Sequence, residues 1–69
     1  MKYAVVIEDG PENLSAYVPD LPGCVATGKT EAELMRVMAG AIPFHLEGLR
    51  QDGLPIAGPT TRLAYVEAS

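Results

Sequence analysis

Leu14-Ser15-Ala16-Tyr17-Val18-Pro19-Asp20-Leu21-Pro22-Gly23-Cys24-Val25-Ala26-Thr27-Gly28 is the stretch on which the fold turns. Leu14, Ala16 and Val18 alternate with Ser15 and Tyr17, the period of two expected of a strand with one buried face. Pro19 ends that strand, because proline lacks the N–H a ladder needs. Leu21-Pro22-Gly23-Cys24 fits a type II turn, with Pro22 fixing φ at the second position and Gly23 free to take a positive φ at the third. Val25, Ala26 and Thr27 then read as a short strand closed by Gly28. Upstream, Tyr3-Ala4-Val5-Val6-Ile7 is β-branched and aromatic, and Glu8-Asp9-Gly10-Pro11 stops it. The polar connection from Asp9 to Asn13 is short enough for an antiparallel hairpin. The three strands are expected to form a meander.

Thr30-Glu31-Ala32-Glu33 has the form of a capping box. The Thr30 hydroxyl would accept from the Glu33 N–H, and the Glu33 carboxylate would reach back to the Thr30 N–H. A helix is expected from about Glu31 toward Asp52, with Gly53 as its left-handed stop. Leu34, Val37, Met38, Ala41, His45 and Gly48 or Leu49 follow the helical spacing and define one stripe. Met35, Ala39, Ile42, Phe44 and Leu46 fall largely outside it. Pro43 cannot donate to the Ala39 carbonyl and its ring crowds that turn, so a kink or break is expected near Ala41-Ile42. Leu54-Pro55-Ile56-Ala57-Gly58-Pro59 reads as an extended linker and residues 60–66 as a fourth strand.

The expected fold is α+β: a β-β-β-α-β two-layer domain over residues 1–69. A right-handed crossover would bring the fourth strand beside the first and parallel to it, in the spatial order 3-2-1-4. Alternatively, the linker carries that strand to another subunit.

Sixty-nine residues make one small and marginal domain. Cys24 is alone, so no disulfide can form within the chain, and one Cys with one His cannot complete a structural zinc site. Oligomerisation, or burial against a partner, remains as the stabilising device, and a hydrophobic content of 48% agrees with it. A two-fold dimer is the expected form. The net charge of −4 argues against binding a phosphate backbone and favours basic partners. No apolar run approaches the ~18 residues of a membrane span, and Glu8-Asp9 interrupt the first apolar stretch too early for a signal peptide. A cytoplasmic location is therefore expected, with no membrane partner.

With the elements placed, the whole chain resembles an antitoxin of the HicB family. The matching stretches are Tyr3-Ala4-Val5-Val6-Ile7-Glu8, Ala16-Tyr17-Val18-Pro19-Asp20-Leu21-Pro22-Gly23-Cys24 and Gly28-Lys29-Thr30-Glu31-Ala32-Glu33. His45-Leu46-Glu47-Gly48-Leu49-Arg50 and Asp52-Gly53-Leu54-Pro55 also fit. The resemblance implies a truncated ribonuclease-H-like core that binds and blocks a small, basic ribonuclease toxin, HicA; the alternative is a small self-assembling domain, dimeric or tetrameric, with no toxin partner. Full-length members usually add a C-terminal DNA-binding domain. The 69 residues carry no such addition, so direct nucleic-acid binding is not expected.

A ribonuclease-H-like core raises the question of catalysis, which would need several carboxylates converging on two metal ions. The strands offer only Glu8, Asp9 and Asp20 at their ends, and Asp9 and Asp20 are better explained as turn residues. No enzymatic activity, metal or cofactor is expected. His45 has no nucleophile to pair with and reads as a helix residue at the core's edge or on the surface. Cys24 reads as a small buried hydrophobe. For partner binding, Glu8, Asp9, Glu12 and Asp20 are the candidate steering charges, and Tyr17 and Phe44 the candidate anchors. Pro22, Gly23, Thr30, Glu33 and Gly53 are expected to be structural turn and cap residues.

Overall fold

A computed structural model describes residues 1–69. Three strands, β1 (Val6–Asp9), β2 (Leu14–Tyr17) and β3 (Val25–Gly28), precede one helix, α1 (Glu31–Gln51). The strands form an antiparallel meander in the order β1-β2-β3. Relative to the sequence reading, β1 begins three residues later and extends through Glu8 and Asp9. Those two polar residues pair with Ser15 and Leu14 in the hairpin ladder. The first turn is tied by the Gly10 N–H, which donates to the Asn13 carbonyl at 2.9 Å.

The connection between β2 and β3 consists of two successive turns. Leu21 N–H donates to the Val18 carbonyl, and Cys24 N–H donates to the Leu21 carbonyl, each at 3.0 Å. Val18 N–H then closes the loop on the Cys24 carbonyl at 3.1 Å. Gly23 has φ +87°, the left-handed value that the third position of a type II turn demands. The tight loop drives Val18, Leu21 and Cys24 inward, and all three are buried.

Register assigns the two sheet faces. Ile7, Ala16 and Ala26 lie in one row facing the helix, with Ala16 buried and the other two packed on the core. Leu34 and Met38 of α1 close this core from the other side. The helix comes very close to the end of β3: a Cβ on Gly28 would stand 3.3 Å from the Leu34 nitrogen. A side chain there would push the layers apart.

Thr30 caps the helix, its hydroxyl accepting from the Glu33 N–H at 3.1 Å. The return bond from the Glu33 carboxylate to the Thr30 N–H is not made, so only half of the expected capping box forms. At the other end Asp52 is the cap residue, and Gly53 turns the chain away with φ +69°. The inward stripe is Leu34, Met38, Ala41, Ile42, Leu46 and Leu49, with His45 half-buried beside it. Ile42 and Leu46 therefore belong to the packed face, whereas Val37 and Gly48 are exposed. The packed face steps by four from Leu34 through Met38 and Ile42 to Leu46, which turns Val37 and Gly48 toward solvent.

Of the kink or break expected near Ala41-Ile42, the break does not occur: the helix continues through Pro43. Ala39 and Pro43 are both on the exposed side, where water can replace the missing donor to the Ala39 carbonyl. Residues 60–66 form no fourth strand, and the sheet stops at three, so the order 3-2-1-4 is not realised within the chain. The segment is held near the sheet by side chains instead. The Tyr3 hydroxyl donates to the Ala57 carbonyl at 2.6 Å, and Asp20 holds Thr60 and Thr61.

Candidate functional site

Alternation along the strands leaves the face opposite α1 bare, and two rows cross it. Val6, Tyr17 and Val25 stand side by side in one row, and Glu8, Ser15 and Thr27 in the next. Tyr17 and Val25 are exposed, Val25 to 66%. A shallow depression lies on this face between β2 and β3, from Ser15 and Tyr17 to Val25 and Thr27. The surface thus has an aromatic residue flanked by two valines, with a carboxylate one row away. Such a patch can anchor a partner through the ring and orient it through the charge.

Of the candidate partner-binding residues, Tyr17 and Glu8 share this face. Phe44 does not. It stands 82% exposed on the helix, on the other layer of the fold. Met35 and Val37 are exposed on that helix as well. Asp9 points to the helix side of β1 and borders a hollow formed with Val5, Val6, Ile7, Glu31, Leu63 and Tyr65. The two proposed anchors, Tyr17 and Phe44, therefore cannot serve one small contact patch. Val6 and Val25 were missed as site residues, although the strict two-residue period beside Tyr17 pointed to them.

Asp20 is engaged within the chain. Its Oδ2 accepts from the N–H groups of Thr60 at 3.1 Å and Thr61 at 3.0 Å. Its Oδ1 accepts from the two hydroxyls, at 3.0 and 2.8 Å. These bonds hold the carboxyl below its ordinary pKa, the Thr61 N–H contributing most and the Thr61 hydroxyl next, with desolvation opposing them. Nothing local in the sequence announced this pairing across forty residues.

His45 packs beneath the Gly23 turn, its Cε1 lying 3.7 Å from where a Gly23 Cβ would be. Cys24 is buried, and desolvation pushes its thiol pKa up, the opposite of activation. Glu8 and Asp9, adjacent in one strand, point to opposite faces, and no three of the His, Cys, Asp and Glu side chains gather in a metal-holding group. No helix is long and apolar enough to cross a membrane.

Comparison with known proteins covers almost the whole chain. Residues 3–69 match the family described as HicB_like antitoxin of bacterial toxin-antitoxin system. A similar curated protein is the uncharacterized 14.9 kDa protein in the rep-hol intergenic region of Haemophilus phage HP1 (strain HP1c1), 39% identical over 61 residues. That match takes in 86% of this chain and 46% of the phage protein, so the chain spans about half the length of the curated relative it matches. Among solved structures, a chain of the HicA3 and HicB3 toxin-antitoxin complex superposes with a TM-score of 0.73 at 30% identity. The match covers 87% of this chain and 70% of that one.

Proposed function

The chain belongs to the HicB-like antitoxins of bacterial toxin-antitoxin systems, and from that premise we propose that it sequesters a small, basic, HicA-like mRNA ribonuclease. The observation that carries the proposal is the likeness, over 87% of the chain, to a structure solved as a toxin-antitoxin complex. Two properties of the chain support it. The net charge of −4 suits a basic partner and opposes direct contact with RNA or DNA. The bare sheet face offers Tyr17, with Val6 and Val25, as an apolar anchor and Glu8 as a neighbouring charge.

In this reading the domain acts by covering its partner. It contributes no catalytic group and needs no cofactor. The encounter takes place in the cytoplasm, where the toxin meets mRNA, and the acting unit is a homodimer. Co-expression with the product of the adjacent open reading frame tests the reading. Induction of that product alone should arrest growth, and co-induction of this chain should restore it. Arrest that persists in the presence of abundant, folded chain would refute it.

A further inference from the structure

The C-terminal segment, residues 62–66, is apolar and rich in strand-forming side chains, yet it is left almost bare. Tyr65 is 93% exposed and Val66 89%. Beyond Leu54, no backbone group bonds to another backbone group. Beside the segment lies an open edge: β1 pairs only with β2, so its outer row of N–H and C=O groups has no partner. Leu63 and Tyr65 approach Val5, Val6 and Ile7 across a hollow without forming a ladder. An unpaired apolar segment and an unpaired sheet edge are each costly alone and complementary together.

The chain's dimensions agree with this. The radius of gyration is 13.4 Å, against roughly 11 Å for a compact chain of this length. The segment's origin is fixed, because Asp20 holds Thr60 and Thr61 through four hydrogen bonds. Residues beyond Thr61 are free to leave. Five residues of strand span ~17 Å, enough to cover β1 and the residues leading into it.

We infer that two copies of this chain exchange residues 62–66, each segment pairing along the β1 edge of the other copy. The occupant of the edge is a second copy because the chain's own segment, already alongside, satisfies neither its backbone nor its outward side chains. A two-fold axis brings an identical segment to each edge and buries Tyr65 and Val66 at the same time. Exchange also supplies the added burial that so small a core calls for. The inference rests on the homodimer reading and is independent of the toxin.

Sedimentation and light scattering on the full chain at micromolar concentration provide the first test. A mass of twice 7.3 kDa is expected. Ala64→Pro removes a ladder donor from an exposed site, and Tyr65→Asp removes the apolar contact; each should return the protein to a folded monomer. Cross-linking distinguishes exchange from closure within one chain. One preparation carries Glu8→Cys and another Ala64→Cys, while buried Cys24 stays out of reach. Mixed and treated with a short bis-maleimide, they should yield a covalent heterodimer. A stable wild-type monomer would overturn both the dimer reading and the exchange. A dimer indifferent to both variants would keep the dimer and overturn the exchange. Links formed only when both cysteines occupy one chain would likewise overturn it.

Discussion

Asp20 holds Thr61 with both carboxylate oxygens, Oδ2 accepting from the Thr61 N–H at 3.0 Å and Oδ1 from its hydroxyl at 2.8 Å. With the matching pair to Thr60, this is the contact that returns the C-terminal residues to the β2–β3 connection. It makes a turn residue of the most recognisable stretch in the sequence into the anchor for a segment forty residues away.

The contact is pH-dependent. The folded state lowers the Asp20 pKa from its ordinary value of 3.8. Its contribution is thus complete above that value and is lost as pH falls through the lower, folded one. Amide exchange at Thr60 and Thr61, corrected for the intrinsic rate, should show protection near neutrality that disappears at acid pH. Asp20→Asn should abolish that protection at neutral pH while leaving Leu34 protected. Equal protection in both proteins would show that the carboxylate does not hold the segment.

Gly23→Ala should destabilise the domain by about 1–2 kcal/mol, the cost of a left-handed residue with a Cβ. The added methyl would meet His45 only at an ordinary 3.7 Å, so the loss comes from the backbone. A fall of about 4–8 °C in Tm per kcal/mol is expected for a domain of this size. Gly23→Asn should cost less, since asparagine tolerates this conformation better. Unchanged melting for both would contradict the turn.

Pro43→Ala should stabilise. It restores the bond to the Ala39 carbonyl at an exposed site in a continuous helix. Proline costs up to about 3 kcal/mol relative to alanine in a helix interior. Thermal or urea melts should show a gain of about 1–3 kcal/mol, and a loss would mean that Pro43 shapes a packing contact.

Met38→Ala should cost about 2–5 kcal/mol, as for other buried large-to-small changes. Met38 and Leu34 are the helix's fully buried residues, so little else can compensate. Against a total of ~5 kcal/mol, partial unfolding at 25 °C is expected by circular dichroism.

Local signals carried most of the fold. Thr30, Gly23 and Gly53 announced a cap, a turn and a stop because each role depends on a neighbour within four residues. Leu14, Ala16 and Val18 showed their buried face through simple alternation. The helix stripe was harder, since apolar residues surround α1 on most sides and Ile42 and Val37 could be told apart only by what they face. The Asp20–Thr61 contact and the missing fourth strand depend on long-range geometry, to which residues 60–66 gave no local clue. The candidate site was half legible: Tyr17 and Glu8 fall together by period, whereas Phe44, on the helix, stands on the layer opposite Tyr17, a separation that the alternation in β2 already implied.

Central to the account is direct capture of a basic toxin, which surface plasmon resonance across a salt series measures most directly. The immobilised chain meets the purified product of the adjacent gene, with ribonuclease activity followed in parallel. The account predicts a complex that silences the ribonuclease and associates faster at low salt, as acidic rim charges steer a basic partner. Tyr17→Ala should speed dissociation, and Glu8→Gln should slow association. Absence of binding at every salt concentration, or a complex in which RNA is still cleaved at the free enzyme's rate, would contradict it.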